Sequence, residues 1–246
     1  MAGSVVVYAG LLVALLGLVF VVRPIVRLGV RRRVHGLLVG VVGIGIVAAG
    51  LLLPAPEKRI AQRTSQLDAF VSVWQFNEFH TIRIAAPPER VFDAVRRVRA
   101  DEIALFRTLT WIRRGGRPLP ESILNAGDRE PLIDVATRSG FVRLADDPPR
   151  ELVIGTVVAA PPGTKGPLTP EFFAKQHPPG FALAAMNFAV RPDQSGGSIV
   201  TTETRVFATS EGTRRRFAVY WRFIYPGSAI IRRMWLRAIE RRALSI

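Results

Sequence analysis

The sequence predicts an α+β protein in which two apolar helices precede a single domain made of an antiparallel sheet and a long C-terminal helix. Three observations carry that expectation. Residues 5–22 and 36–53 are each 18 residues long and free of charge. From residue 76 onward, short runs rich in β-branched and aromatic residues alternate with turn residues. The chain then closes on an amphipathic stretch at 228–243.

The two apolar runs are read as a transmembrane hairpin over residues 1–56. At 1.5 Å per residue each makes about 27 Å of helix, close to the ~30 Å hydrocarbon core of a bilayer. A cleaved signal peptide is the competing reading for the first run, but residues 1–4 carry no positive charge and a second run follows. Between the runs lie Arg23, Arg27, Arg31, Arg32 and Arg33; just after them come Lys58, Arg59 and Arg63. The positive-inside rule then puts the arginine loop in the cytoplasm and the domain outside, in the cell membrane of its host. Gly36 and Gly40 form a GxxxG pair that would let the second helix approach another closely, the first run being the expected partner.

Net charge and composition bound the chemistry. The 246 residues carry a formal charge of +15, and every acidic residue lies after Pro56. With no cysteine and three histidines, disulfides, thiolate chemistry and cysteine-ligated zinc are excluded, and no metal or other cofactor is expected. Excess basic charge calls for an anionic neighbour, and lipid headgroups are nearer than nucleic acid for a tethered chain. Arginine outnumbers lysine 31 to 3, so a compositional preference also explains part of that excess.

Residues 57–75 read as a linker. Residues 76–84 (FNEFHTIRI) read as a strand, and Pro87-Pro88 followed by Glu89 opens a helix with Val91, Phe92, Val95 and Val98 at helical spacing. A second helical stretch carries Ile103, Phe106, Leu109 and Ile112 and closes at Arg114-Gly115-Gly116. Strands follow at 141–144, 152–159, 181–190 and 198–208. A fifth strand is predicted at 217–224, making a hairpin with its predecessor through Ser210-Glu211-Gly212. Residues 161–180, with six prolines and three glycines, form a loop over one end of the sheet. Ser228 is positioned as the N-cap of the final helix.

The stretch 82–98, IRIAAPPERVFDAVRRV, resembles the opening of the START-like, or SRPBCC, superfamily, in its polyketide-cyclase/dehydrase-like branch. Ala86, Pro87, Pro88, Glu89, Val91 and Phe92 carry the resemblance, and the terminal helix sits where that family's gripping helix belongs. The resemblance covers residues 76–244 and implies a helix-grip domain: a curved antiparallel sheet wrapped on the long helix around an apolar cavity. It further implies an apolar ligand, a lipid or polyketide among others, without assigning an activity. On that fold Phe106, Phe141, Phe181, Met186, Phe188, Trp221, Met234 and Trp235 would line the cavity.

His80 and Glu78 alternate on one strand face and would make an acid–base pair if that face lines a cavity; a half-exposed strand face is the plainer account. Glu203 and Arg205 share a face with Phe207. Pointing inward they would anchor a polar ligand head, and pointing outward they are a solvated pair. His177 reads as a solvated loop residue. Arg232, Arg233, Arg237, Arg241 and Arg242 are assigned to the membrane surface. Three functions follow: a membrane-tethered carrier or sensor of an apolar molecule or lipid, an interaction module with its cavity closed, and a cyclase- or hydrolase-like enzyme using His80 with Glu78 or Glu203. The first is the expected one, and no nucleic-acid partner is expected.

Overall fold

The computed structural model describes residues 2–24, 32–164 and 166–245. In chain order the elements are α1 (Ala2–Val22), α2 (Arg33–Leu52), β1 (Lys58–Arg59), α3 (Leu67–Phe70), β2 (Val73–Trp74), β3 (Phe76–Ile84), α4 (Pro88–Arg97) and α5 (Phe106–Arg113). They continue with α6 (Leu132–Arg138), β4 (Val142–Asp147), β5 (Glu151–Ala159), α7 (Pro170–Ala174), β6 (Ala182–Pro192), β7 (Ser198–Ala208) and α8 (Glu211–Leu244). Two compact units result: Met1–Ala55 with Arg216–Pro226, and Pro56–Arg215 with Gly227–Ile246.

In the first unit α1 and α2 run antiparallel, joined by glycines seven residues apart. Gly10 and Gly17 on α1 meet Gly43 and Gly36 on α2, and Gly50 meets Val6 and Val7, so closely that a side chain has no room. A Cβ on Gly43 would lie 2.3 Å from Ala14 N, and one on Gly17 would lie 2.3 Å from Gly40 N. Seven residues are nearly two turns, so this spacing keeps one face against the partner. The working repeat is therefore 36/43/50. The expected Gly36–Gly40 pair lies at the contact, since a Cβ on Gly17 would meet the Gly40 backbone and the Gly36 carbonyl, although a Cβ on Gly40 itself would meet open space. Of the loop arginines, Arg27 and Arg31 lie outside the described residues.

The rest of this unit comes from α8, where the sequence predicted a strand at 217–224. Burial there runs 217, 218, 221, 222, with 219, 220 and 223 exposed, which is a helical period and not an alternation. Ser210 Oγ accepts from Thr213 N, and Glu211 pairs with Arg214 and Arg215 one turn on, so the helix starts where a turn was expected. It continues through Pro226, so Ser228 is an interior residue and no N-cap. The Arg222 guanidinium donates to the Leu51 and Leu53 carbonyls, which α2 leaves without partners at its C-terminus. Tyr8 donates its hydroxyl to the Phe223 carbonyl at 2.7 Å.

The second unit is α+β. Its antiparallel sheet has the order β3-β7-β6-β5-β4. β3 pairs with β7 from Phe76↔Val206 to Ile84↔Ser198, and a tight turn over 193–197 joins β6 to β7. Against one face pack α4, α6 and the C-terminal part of α8, with Ile84, Val91, Phe92, Leu132, Trp235 and Ile239 at the centre. Arg242 binds the Glu102 carboxylate through Nε at 3.0 Å and ties the helix end to the same layer.

The other face is covered by segments expected to be a linker and a loop. Residues 57–75 supply α3 and a two-stranded β1–β2 ribbon, with Leu67 and Asp68 fully buried. The 161–180 insertion folds back through α7, capped by Thr169, and drops Phe173 onto Gly155, where a Cβ would meet the ring at 2.7 Å. The predicted second helix is two pieces, a 3-10 turn at Ala100–Glu102 and α5, because Leu105 takes a left-handed conformation (φ 61°) between them. Helix α6, unannounced in the sequence, buries Leu132, Ile133, Val135 and Ala136.

If the glycine repeat holds the hairpin, Gly43→Val should destabilise it by about 1–3 kcal/mol, the usual cost of overpacking. Gly45→Ala, whose Cβ meets open space, should be neutral or mildly stabilising. Unfolding of the full chain in mixed detergent, followed by helical circular dichroism, separates the two.

Candidate functional site

Strand pairing places two rows of side chains across the helix-covered face of the sheet. One row is Glu78, Thr204, Met186 and Ile154; the other is His80, Thr202, Phe188 and Leu152. Directly paired residues share a face, so each row grades from ionisable on β3, through hydroxyl on β7, to apolar on β6 and β5. Above the rows stands Arg232 on α8. Its Nη2 donates to Thr204 Oγ1 at 2.8 Å and also touches Met186 Sδ; its Nη1 reaches Thr202 Oγ1 at 3.5 Å. Its Cζ lies 5.5 Å from the centre of the Trp235 ring and 6.0 Å from that of Phe188.

The charges in this cluster are incompletely matched. His80 Nε2 and Glu78 Oε1 are 2.9 Å apart, within hydrogen-bond distance, with the donor set by the tautomer. Glu78 Oε2 is buried without a hydrogen-bond partner, and so is Trp235 Nε1. Among the described residues Arg232 has no carboxylate within ion-pair distance. Burial holds its guanidinium below its ordinary pKa; the Glu78 carboxylate opposes that shift and the Arg113 charge adds to it. A buried acceptor, a buried donor and a partly buried cation set in aromatic and aliphatic surroundings are costly. They can hold a polar or acidic group whose apolar remainder lies along Met186 and Phe188, and the Glu78–His80 pair can pass a proton.

The opposite face carries a second polar cluster whose charges are all matched, although the Trp74 Nε1 beside it is buried without a hydrogen-bond partner. Arg205 donates to Asp68 Oδ1 at 2.6 Å, to Glu203 at 3.0 and 2.9 Å, and to the Val71 carbonyl at 3.1 Å, with its guanidinium 4.1 Å from the Trp74 ring centre. Asp68 also accepts from the amides of Thr64 and Ser65. Glu151 accepts from Gln66 N and from Asn187 Nδ2, whose Oδ1 takes the Glu203 amide. Every charge here has its partner, which marks the cluster as the clasp that fastens residues 64–71 to the sheet.

The sequence-predicted site residues therefore separate. Phe106, Met186, Phe188 and Trp235, with Phe141 and Met234 partly buried beside them, do come together between sheet and helices. Glu203 and Arg205 lie on the far side of the sheet from His80 and Glu78 and line no common pocket with them. Arg205 is buried and held by Asp68 of α3, and Glu203 beside it is partly buried, so the two are not a solvated pair. Phe181 packs instead against Phe172 and His177 of the insertion, at ring distances of 6.1 and 5.2 Å. His177 is half-buried, bonded to the Phe172 carbonyl at 2.8 Å, and not a solvated loop residue. Trp221 belongs to the hairpin unit. Arg232 is an interior group and not a membrane-surface one; Arg242 is committed to Glu102, and Arg237 to Glu240 at 2.8 Å. Arg233 and Arg241 are exposed.

Sequence reasoning missed Asp68, Glu151 and Asn187 of the clasp, and Thr202 and Thr204 of the site. The threonines alternate in SIVTTETRVFA in step with His80 and Glu78, a signal that becomes legible only once the β3–β7 register is known. Among the described residues no three acidic or histidine side chains converge as a metal-ligand set.

No family model matches the chain, and no curated protein matches it. Three solved structures resemble it faintly. A Mesorhizobium loti protein is 15% identical, with a TM-score of 0.33 over 68% of this chain and 98% of its own. One from Nitrosospira multiformis is 14% identical, with a TM-score of 0.26 over 63% and 94%. One from Thermus thermophilus is 14% identical, with a TM-score of 0.28 over 69% and 98%.

The clasp makes a prediction about acid. Burial pushes the Asp68 carboxyl up, but the Thr64 amide, Arg205 and the Ser65 amide together hold it below its usual value. A depressed carboxylate pKa stabilises the fold above the unfolded value of about 3.9 and loses that contribution as pH falls through the folded value. Stability of the full chain should therefore fall below about pH 4, and Asp68→Asn should flatten that fall while lowering stability at pH 7. Arg205→Met, which strands Asp68, should cost about 3–5 kcal/mol at pH 7. Denaturant midpoints measured across the acid range check all three.

Proposed function

We propose that the protein is a membrane-anchored binding protein, a carrier or sensor, for a small molecule with an apolar body and a polar or acidic end. In this reading α1 and α2 cross the bilayer. Both are long and apolar enough to do so, and only 17% of each central stretch is buried, against the mostly buried surface of a soluble core helix. Leu12, Leu18, Val41 and Ile44 are each about 60% exposed, which suits acyl chains and not water. The arginines of the 23–33 connection support a cytoplasmic loop and an extracytoplasmic domain.

We read the domain as a START-like helix-grip domain. The five-stranded antiparallel sheet, the α4 opening at Pro87-Pro88 and the long C-terminal helix against one sheet face support that reading. The single observation that carries the ligand is the gradient across β3, β7 and β6, crowned by Arg232 and leaving Glu78 Oε2 and Trp235 Nε1 unsatisfied. The polar end would meet Arg232, Thr204 and Glu78, and the body would lie along Met186 and Phe188.

A second reading, an interaction module with a closed interior, is favoured by the tight burial of Phe106, Phe188 and Trp235, each at most 3% exposed. Partly buried Phe141, Met234, Ile82 and Ile231 at the margin of the same layer leave it room to open. An enzymatic role keeps only the His80–Glu78 pair, since Glu203 lies across the sheet.

Comparing the organic extract of the full chain in detergent with that of Arg232→Met tests the binding reading. A defined molecule near one per chain in the parent, reduced about tenfold or more in the variant, is expected, since a charged hydrogen bond contributes about 1.5–3 kcal/mol. Bulk phospholipid retained equally by both proteins would be annular lipid, and with nothing else bound it would shift the assignment to the closed module.

A further inference from the structure

Residues 216–226 of α8 form part of the hairpin unit, and one face of that stretch is exposed. Arg216, Val219, Tyr220 and Phe223 fall at i, i+3, i+4 and i+7, so they make one stripe. Arg216 is exposed, and Val219, Tyr220 and Phe223 are 41, 41 and 42% exposed. Behind the stripe, Phe217, Trp221 and Tyr225 make a ring cluster with centroid distances of 5.6 to 5.9 Å among Phe217, Tyr220, Trp221 and Tyr225.

The location of this stripe within the unit is fixed by two contacts. Arg222 binds the carbonyls of Leu51 and Leu53 at the end of α2, and Tyr8 near the start of α1 donates to the Phe223 carbonyl. Because the two helices are antiparallel, the start of α1 and the end of α2 are the same end of the hairpin. An aromatic-rich segment with a flanking arginine, seated at the end of an apolar hairpin, has the chemistry of a bilayer interface. Tyr and Trp rings prefer the headgroup level, and an arginine stem can lie along apolar chains while its guanidinium reaches phosphate.

We propose that the 216–226 segment of α8 is a third membrane element, lying in the phospholipid headgroup layer with Val219, Tyr220 and Phe223 against the upper acyl chains and Arg216 on lipid phosphate. The proposal rests on α1 and α2 spanning the bilayer. It fits the capping as well: in a region poor in water the last carbonyls of α2 need donors, and Arg222 from the same segment supplies them.

The absence of cysteine from the chain gives a direct test, since any introduced thiol is unique. The full-length variants Val219→Cys, Phe223→Cys and Leu12→Cys are each nitroxide-labelled and reconstituted in phosphatidylcholine–phosphatidylglycerol bilayers. Collision with oxygen and with a water-soluble nickel complex reports depth. Leu12→Cys should sit deepest. Val219→Cys and Phe223→Cys should show an oxygen-to-nickel collision ratio severalfold above that of a free nitroxide in water, yet below that at position 12. Water-like ratios at 219 and 223 with a deep label at 12 would overturn the interfacial segment and leave the anchor standing. A water-like ratio at position 12 would remove the anchor reading and this proposal with it.

Discussion

Helix α8 is unbroken from Glu211 to Leu244 across Pro226, and each unit packs on its own part of that helix. A proline inside a helix removes one hydrogen bond and crowds the preceding turn, a cost of roughly 3 kcal/mol. The helix bears that cost because its two halves are held separately. Arg222 and Phe223 are engaged with the hairpin on one side of the proline, and Trp235, Leu236 and Ile239 are sunk in the domain core on the other.

The two faces of the sheet carry polar groups that are satisfied to different degrees. Pairing across β3, β7 and β6 sends alternate residues to opposite sides, so Glu203 and Arg205 face away from their neighbours Thr202 and Thr204. On the clasp side every ionised group meets a counter-charge or a backbone donor, which makes burial tolerable and fixes the segment above it. On the other side Arg232 is partly buried against hydroxyls, sulfur and rings, and Glu78 keeps one oxygen unbonded.

The hairpin solves a different problem. Two helices this apolar have no polar side chains with which to hold each other, so close backbone approach does it. Glycines seven apart allow that approach along the length of the pair, and the bulky residues between them turn outward.

By itself the sequence determined the elements whose signal is local: two charge-free runs, β3 and β7 to the residue, the start of α4 at a Pro-Pro pair, and the amphipathic end of α8. These follow from hydropathy, periodicity and turn chemistry, which neighbouring residues decide among themselves. Tertiary structure decided the rest. Residues 217–224 read as a strand because FAVYWRFI is apolar and aromatic nearly throughout, and only the partners on either side select helix from strand for such a run. Asp68 looked like a linker charge until Arg205, 137 positions away, claimed it. Arg232 looked like one of five surface arginines. It became an interior group because the sheet register sets Thr204 and Met186 opposite it, and long-range pairing is information that no local window contains.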